Sequence, residues 1–321
     1  MNCKPIIIVA GEPYSIFLEI FFKAKRKYRF KKPIILIVSK ELLIKQMKRL
    51  NYNFKINLIN KNYNNLNKIK NDKINVIDIQ FQFKKTFDTI SDKSNTYIEN
   101  CFKVALKILK QNKCSGLING PISKKNFLKE NFLGITEYLA QKTNKKDNFA
   151  MLIYNKKLSV SPITTHLPLK NVHKHITKKK IINNVGLIRQ FYIKKFNKDP
   201  KIAVTGLNPH CESNYKSSEE DQIIRPAIKY LVKQKYKIKG PFSADTLFMK
   251  EQSKKYDVII GMFHDQVLTP AKTLFGFNAI NITLGLPFIR ISPDHGPNAM
   301  MQGKNLSNPN SLVEALKFLD K

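Results

Sequence analysis

Three histidines stand out because each lies in a short polar or turn-forming run close behind an apolar segment. They are His166 in Thr-Thr-His-Leu-Pro, His210 in Gly-Leu-Asn-Pro-His and His264 in Phe-His-Asp-Gln. The loops that follow the carboxyl ends of strands converge on the ligand site of an open α/β sheet, so these side chains could meet in space. Three imidazoles with open positions for water and substrate would make a catalytic site for a divalent metal, with zinc the best match. The alternative is three separate loop histidines without a shared role.

A second group of residues could bind an anion. Arg290 is one of six arginines and follows the apolar loop 285–289. Its guanidinium could hold a phosphate or carboxylate through two parallel hydrogen bonds, although a structural ion pair explains it equally well. Lys272 could neutralise the same anion. Asn281 lies within an apolar run, where a buried amide needs a partner, which favours a ligand or a polar network.

Several carboxylates and one turn have two interpretations each. Asp245 and Asp265 are the carboxylates nearest the histidine motifs, and each could orient an imidazole, accept a proton or cap a helix. Glu12 could bind a ligand or close the first loop. The run Gly120–Lys124 could offer backbone N–H groups to an anion, but an ordinary strand-to-helix turn is the better interpretation.

Apolar runs that alternate with helical patterns predict an α/β fold with a mostly parallel sheet. The predicted strands are Pro5–Ala10, Pro33–Val38, Ile74–Ile79, Gly116–Ile118, Phe149–Tyr154, Lys201–Thr205, Asp257–Phe263 and Ala279–Leu284. Apolar residues at helical spacing predict helices over 98–109, 181–192 and 312–319. Residues 51–73, rich in Asn and Lys, predict a loosely packed surface region. No G-x-G-x-x-G follows the first strand, so a dinucleotide would not use the Rossmann fingerprint.

The composition indicates a globular protein, and the length of the chain is sufficient for about two domains. Of 321 residues, 42% are apolar, and no apolar run is long enough to span a membrane. Four cysteines without paired spacing indicate reduced thiols and a cytoplasmic protein. The net charge of +34 comes mostly from lysines spread among Asn and Ile. AT-rich codons explain this pattern better than a nucleic-acid site, so neither a specific nucleic acid nor a membrane is expected as a partner.

Motifs along nearly the whole chain resemble the 4-hydroxythreonine-4-phosphate dehydrogenase family of pyridoxal phosphate biosynthesis. The matching segments are Gly11–Pro13, Asn119–Lys124, Gly134–Ala140, Thr164–Leu169, Gly206–His210, Gly240–Thr246, Phe263–Gln266, Asn281–Arg290 and Asp294–Gly296. The resemblance implies NAD- or NADP-dependent oxidation and decarboxylation of 4-phosphohydroxy-L-threonine to 3-amino-2-oxopropyl phosphate. It also implies a divalent metal, with zinc favoured over cobalt or magnesium.

The resemblance also implies an isocitrate/isopropylmalate dehydrogenase-like fold of two α/β/α domains with the active-site cleft between them. We expect residues 1–130 plus 296–321 to form one domain. Residues 131–295 would form the other, with most metal and substrate residues and the interface of a homodimer. The implied sites are metal ligation by His166, His210 and His264, substrate binding by Thr136, Lys272, Asn281 and Arg290, proton transfer by Asp245 or Lys272, and cofactor binding by Asp294, His295 and Gly296.

Two departures from the family pattern leave the substrate open. Ile135 stands where the family usually has a histidine that contacts the substrate, and the first loop has Ser15, Phe17 and Leu18 where the family usually has two glycines and a proline. A related dehydrogenase acting on phosphorylated threonate or erythronate is therefore the nearest alternative. A basic nucleic-acid-binding protein on an enzyme scaffold is the alternative from another class, and steeply salt-dependent binding without turnover would reveal it.

Overall fold

The computed structural model describes residues 4–60, 63, 66–129, 132, 134–145, 148–211, 217–276, 278–293 and 295–321. The chain divides into two compact units. Unit 1 comprises Met1–Ile135 and Pro287–Lys321, and unit 2 comprises Thr136–Leu286. Among the described residues, no helix combines the length and apolar character that a membrane span requires.

Strands and helices alternate along most of the chain. The strands are β1 (Ile6–Val9), β2 (Ile34–Val38), β3 (Ile56–Leu58), β4 (Ile74–Asp78), β5 (Gly116–Asn119), β6 (Ala150–Tyr154), β7 (Ser159–Pro162), β8 (Ile202–Thr205), β9 (Ile238–Phe242), β10 (Val258–Gly261), β11 (Ile280–Leu284) and β12 (Arg290–Pro293). The α-helices are α1 (Phe17–Lys27), α2 (Lys40–Arg49), α3 (Asn95–Lys110), α4 (Ile135–Lys142), α5 (Leu169–His175), α6 (Lys178–Phe196), α7 (Arg225–Lys233), α8 (Ala244–Leu247), α9 (Lys250–Ser253), α10 (His264–Phe275) and α11 (Asn310–Asp320). Two π-helical turns, Lys124–Leu128 and Glu220–Ile224, precede α4 and α7.

Unit 1 has a parallel sheet with the strand order β3-β4-β2-β1-β5-β12. Its central strand β1 consists of Ile6, Ile7, Ile8 and Val9, and all four side chains are completely buried. Burial on both faces explains why this strand is a continuous apolar run without polar alternation. Helices α3 and α11 pack on β1 and supply much of the apolar cover.

Unit 2 has a mixed sheet with the order β11-β6-β7-β10-β8-β9. Strand β6 runs antiparallel to both of its neighbours, β11 and β7, whereas β7, β10, β8 and β9 are parallel to one another. The parallel strands therefore end at one edge of the sheet, and the loops that follow them leave from that edge. The core includes Ile153, Val160, Ala203, Ile259 and Val267.

The predicted α/β class and a mostly parallel sheet are confirmed. Each of the eight predicted strands is present, with ends that shift by at most two residues, and the three predicted helices correspond to α3, α6 and α11. The region 51–73 contains the short strand β3 and a 3-10 turn over Leu66–Lys68, and residues 61–62 and 64–65 lie outside the described residues. Four strands, β3, β7, β9 and β12, were not predicted.

Candidate active site

Four adjacent parallel strands of unit 2 carry the candidate metal and acid–base residues in the loops or helices that follow them. His166 follows β7, His264 follows β10, His210 follows β8 and Asp245 follows β9. The strand order therefore aligns these residues along one sheet edge, although up to about a hundred residues separate them in the sequence. The sequence predicted the strands before His210 and His264, whereas β7, the strand before His166, was not predicted.

Hydrogen bonds connect the three histidine loops directly. The Thr164 hydroxyl donates to the Met262 carbonyl at 2.8 Å, which joins the His166 loop to the His264 loop. The side-chain oxygen of Gln266 accepts from Met262 N at 2.7 Å and from the Thr205 hydroxyl at 2.8 Å. The Gln266 amide nitrogen then donates to the Gly206 carbonyl at 2.8 Å. These bonds fix the spacing between neighbouring strand ends, so the loops cannot shift independently.

The rings of His166 and His264 lie side by side, with centroids 5.8 Å apart. Two imidazoles that share one tetrahedral ion have centroids roughly 5–6 Å apart, because each nitrogen lies ~2.0–2.1 Å from the metal. The Asp265 carboxylate lies 2.7 Å from Nδ1 of His264. That contact leaves Nε2 of His264 for a metal and orients the ring, as carboxylates do for metal-binding histidines. The two side chains therefore fit a site for a divalent ion.

His210 is exposed and adopts a left-handed backbone conformation with φ of 58°. The next residue, Cys211, has the same φ value, so two consecutive residues with side chains occupy a region that usually favours glycine. Within the described part of the chain, no three His, Cys, Asp or Glu side chains are grouped closely enough to hold a metal ion. The structure thus brings His166 and His264 together, and places His210 on the same sheet edge without grouping all three.

Asp245 is an exposed residue of the short helix α8. Its carboxylate accepts from the Ser243 hydroxyl at 2.5 Å and from Thr246 N at 2.8 Å. These hydrogen bonds, the first of them most strongly, lower the pKa of Asp245 below its ordinary value, and nearby His210 adds to the effect. Asp245 is therefore a stable negative charge near His210 and a comparatively weak proton acceptor.

The candidate substrate residues of unit 2 lie on α4, α10 and β11. Thr136 is buried in the first turn of α4, and its hydroxyl lies 3.5 Å from that of Thr283. Asn281 and Thr283 point to the same face of β11 because side chains repeat every second residue in a strand. The buried side-chain oxygen of Asn281 has no hydrogen-bond partner among the described residues, which leaves it available to a ligand. Lys272 is exposed, two turns after His264 on α10.

Arg290 is the candidate phosphate ligand of unit 1, and its side chain is completely buried. Its Nε donates to the side-chain oxygen of Asn119 at 2.7 Å. The Asn119 amide donates in turn to the Gly120 carbonyl at 2.9 Å. The guanidinium therefore anchors the end of β5 and the turn that follows this strand, independently of any role in binding a substrate.

The first loop of unit 1 is tightly packed against that same turn. The Glu12 N–H donates to the Pro121 carbonyl at 2.9 Å, and a Cβ on Gly120 would lie 2.0 Å from the Ala10 carbonyl oxygen. The residues that depart from the family pattern fill this region, since Ser15, Phe17 and Leu18 are all buried. The Ser15 hydroxyl also accepts from Phe17 N at 3.3 Å, which stabilises the start of α1.

Glu12 is a buried carboxyl group that forms no ion pair among the described residues. It is 2% exposed, and its Oε2 accepts from the Ser94 hydroxyl at 3.3 Å. Its Oε1 has no hydrogen-bond partner among the described residues. Burial raises the pKa of Glu12 to about 7, against the smaller lowering effects of the Ser94 hydroxyl and the Tyr14 N–H. The folded protein therefore binds a proton at Glu12 that the unfolded chain releases above pH 4.5.

We expect Glu12→Gln to stabilise the protein at alkaline pH. The folded pKa is raised, so wild-type stability is complete below pH 4.5 and falls as the pH rises through about 7. The variant lacks this loss, so the free energy of unfolding of the variant relative to wild type should rise by about 2–3 kcal/mol from pH 5 to pH 8.5, as measured by urea unfolding. Glu41→Gln, at an exposed i,i+4 pair with Lys45, is the control and should show no such gain. An equal difference at both pH values would contradict the expected ionisation of Glu12.

The candidate cofactor residues lie just after β12. His295 is half-buried, with Nδ1 3.0 Å from the Gly296 carbonyl, and its backbone N–H donates to the Pro293 carbonyl. Gly296 is exposed, and a Cβ there would meet nothing within 4 Å. The space beside this backbone position is therefore open. Asp294 lies outside the described residues.

Three residues of this region were not predicted as functional. Gln266 joins two histidine loops, Thr283 meets Thr136, and the buried Glu220 binds the backbone before His210. The spacing of Thr283, two positions after Asn281 in one strand, could have indicated that the two polar side chains share a face and a role. Neither Gln266 nor Glu220 has a sequence signal of its own, because their roles depend on contacts with distant loops.

Comparison with known proteins gives a consistent result. The family model described as "Pyridoxal phosphate biosynthetic protein PdxA" matches residues 29–319. A 4-hydroxythreonine-4-phosphate dehydrogenase of Sulfurihydrogenibium sp. (strain YO3AOP1) is 40% identical over 98% of this chain and 96% of the relative. A protein of Oceanobacillus iheyensis, provisionally named D-threonate 4-phosphate dehydrogenase, is 31% identical over 98% of this chain and 97% of its own. The crystal structure of 4-hydroxythreonine-4-phosphate dehydrogenase from Klebsiella pneumoniae has a TM-score of 0.85 and 26% identity over 98% of both chains.

Proposed function

Because the chain belongs to the pyridoxal phosphate biosynthetic protein PdxA family, we propose that it is a metal-dependent, NAD(P)-linked dehydrogenase of 4-phosphohydroxy-L-threonine. The reaction oxidises the C3 hydroxyl and releases the carboxylate as carbon dioxide, which leaves 3-amino-2-oxopropyl phosphate. The alignment of three histidine loops and Asp245 along one edge of unit 2 is the observation that supports this chemistry best. Location in the cytoplasm stays a prediction.

His166, His210 and His264 would hold the metal, with zinc the best match to imidazole and cobalt or magnesium as alternatives. A divalent ion in this position supplies Lewis acidity to the substrate hydroxyl and to the carbonyl formed from it. The adjacent rings of His166 and His264, and the carboxylate on Nδ1 of His264, support this assignment. His210 would complete the ligand set.

Asp245 and Lys272 are the two proposed groups for proton transfer at C3. The hydrogen bonds from Ser243 and Thr246 keep Asp245 ionised and reduce its affinity for a proton. Either Asp245 or Lys272 would accept the hydroxyl proton, and the other would act as a fixed charge beside the substrate.

The remaining proposed residues position the ligands. Thr136 and Asn281, which lie on the linked α4–β11 surface, would donate and accept hydrogen bonds to the substrate. Lys272 and Arg290 would bind its anionic groups. Asp294, His295 and Gly296 would contact the nicotinamide cofactor. A homodimer with the active site near the subunit interface is part of the same proposal.

The proposal is tested by the absorbance of reduced nicotinamide with 4-phosphohydroxythreonine and either NAD⁺ or NADP⁺. Metal-chelated protein is compared with protein restored by zinc, cobalt or magnesium. Turnover that returns only with metal supports the proposal and identifies the cofactor. Absence of turnover with every metal, cofactor and phosphorylated substrate would contradict it.

Phosphorylated D-threonate is the second candidate substrate. Ile135 supports this substrate, because the family usually places a histidine at that position beside the substrate. Wild type and Ile135→His should therefore be assayed with both substrates. Oxidation of phosphothreonate alone by wild type, and a gain of activity on the amino acid in Ile135→His, would establish the alternative substrate and its cause.

A further inference from the structure

The loop that presents His210 is held on both sides of the histidine by one segment of unit 2. This segment is the π-helical turn Glu220–Ile224 together with Arg225, the first residue of α7. On the side before His210, Oε1 of Glu220 accepts from Leu207 N at 2.7 Å and from Asn208 N at 2.8 Å. On the other side, Nη2 of Arg225 donates to the Cys211 carbonyl at 3.2 Å.

Glu220 is an unusual residue for a purely structural role, because it is 1% exposed and its carboxylate accepts hydrogen bonds from amide groups of the His210 loop. Its Oε2 accepts from the side-chain amide of Asn208 at 2.9 Å. Burial opposes its ionisation, but the hydrogen bonds from Asn208 and Leu207 outweigh burial and lower the pKa of Glu220. A buried negative charge is therefore kept beside a loop that carries a candidate metal ligand.

The backbone between the residues that Glu220 and Arg225 contact is strained. His210 and Cys211 both have φ of 58°, and such conformations persist only where surrounding contacts determine them. The close packing of the loop adds to this constraint, since a Cβ on Gly206 would lie 2.6 Å from Sγ of Cys211 and 2.9 Å from Oε1 of Glu220. The hydrogen bonds from Leu207 and Asn208 to Glu220, and from Arg225 to Cys211, are thus contacts that stabilise the left-handed turn.

We propose that Glu220 is a positioning residue for the metal site, which, with Arg225, holds the left-handed turn that directs His210. Most outer-shell carboxylates act on the imidazole of a metal ligand, but Glu220 acts through the backbone N–H groups of Leu207 and Asn208. This inference rests on the proposed function, because it requires His210 to bind the metal. Glu220 itself contacts neither metal nor substrate.

The test measures cobalt(II) binding by the whole protein, from the visible absorption bands and from competition with a chelator. Glu220→Gln keeps the side-chain shape but loses the charge and one acceptor for the Asn208 amide. We expect about a 10- to 100-fold loss of cobalt(II) affinity and altered absorption bands, as for other outer-shell partners. Glu219→Gln is the matched control. Among the described residues, Glu219 accepts from the Asn208 side chain and not from the backbone of the loop, so this substitution should change the cobalt(II) affinity less than about twofold.

Arg225→Gln provides a second variant, because Arg225 is partly exposed and its loss should leave the protein folded. It removes the contact with the Cys211 carbonyl and should weaken cobalt(II) binding, but less than Glu220→Gln does. Unchanged affinity and bands in folded Glu220→Gln would overturn the inference. If Glu220→Gln does not fold, unchanged affinity in Arg225→Gln would overturn it instead.

His210→Asn separates this inference from the proposed function. If His210→Asn weakens cobalt(II) binding but the Glu220 and Arg225 variants do not, only the positioning role is wrong. If wild type and His210→Asn bind cobalt(II) equally, or wild type does not bind it, His210 is not a metal ligand and both proposals are overturned.

Discussion

Replacing His210 with asparagine is expected to abolish metal-dependent turnover while leaving the fold intact. Loss of an outer-shell partner already costs 10- to 100-fold in activity or metal affinity, so loss of a ligand should cost on the order of a hundredfold or more. Asparagine is chosen because it tolerates the left-handed conformation of this position, with φ of 58°, better than alanine does. The side chain is exposed, so its removal creates no cavity.

The assay compares the steady-state rate and the urea unfolding curve of His210→Asn with those of wild type. His175→Asn is the matched control, because His175 is also exposed and its Nδ1 lies 2.9 Å from the carbonyl of Asn171, which is not a candidate site residue. It should retain wild-type activity. A rate for His210→Asn within a few-fold of wild type, in metal-restored protein, would contradict the assignment of this ligand.

Arg290→Ala is expected to have the largest effect on stability. The substitution empties the space of a completely buried side chain and leaves the side-chain oxygen of Asn119 without its charged donor. The cavity and the unpaired acceptor together should lower the free energy of unfolding by about 3–5 kcal/mol. Arg26→Ala, at an exposed position of α1, should change it by less than about 0.5 kcal/mol. A loss below about 1 kcal/mol for Arg290→Ala would show that the guanidinium does not anchor the β5 turn.

Arg290→Lys examines the second proposed role of the same side chain. Lysine keeps the charge but lacks the fork that binds a phosphate or carboxylate through two bonds. If the guanidinium also binds the substrate, KM should rise at least tenfold while kcat changes little, because ground-state and transition-state binding are lost together. An unchanged KM in folded Arg290→Lys would restrict Arg290 to its structural role.

Most of the strands that sequence patterns identified are apolar on both faces, and β11, with Asn281 and Thr283 on one face, is an exception. The four that escaped prediction lack this pattern for different reasons. Strand β7 is polar yet buried, because the Ser159 hydroxyl lies 2.8 Å from that of Tyr192 and the Ser161 hydroxyl donates to the Met151 carbonyl. Strand β9 contains Gly240 and Pro241 and lies at the edge of its sheet, where proline is tolerated. Such strands depend on partners that a local pattern does not reveal.

The candidate site shows the same limit. The placement of His210 and His264 behind strands followed from the apolar runs, because the position of a strand end is a local property. The strand before His166 was not predicted, because β7 is polar. The order of the three histidines along the sheet edge could not be predicted either, because it depends on which strands become neighbours. The contacts of Gln266 and Glu220 were also inaccessible, since both residues act on the backbone of other segments.

Unit 2 is one uninterrupted stretch of chain, whereas unit 1 is formed from two stretches that flank it. During synthesis, about 150 residues of unit 2 therefore emerge before β12 and α11 exist. At typical rates of translation this takes roughly 10–30 seconds, long enough for unit 2 to fold first. Meanwhile the edge of β5 that later pairs with β12, and the surface of β1 that α11 later covers, stay exposed. The nascent chain should need protection by ribosome-associated chaperones in this interval, more than at any later stage.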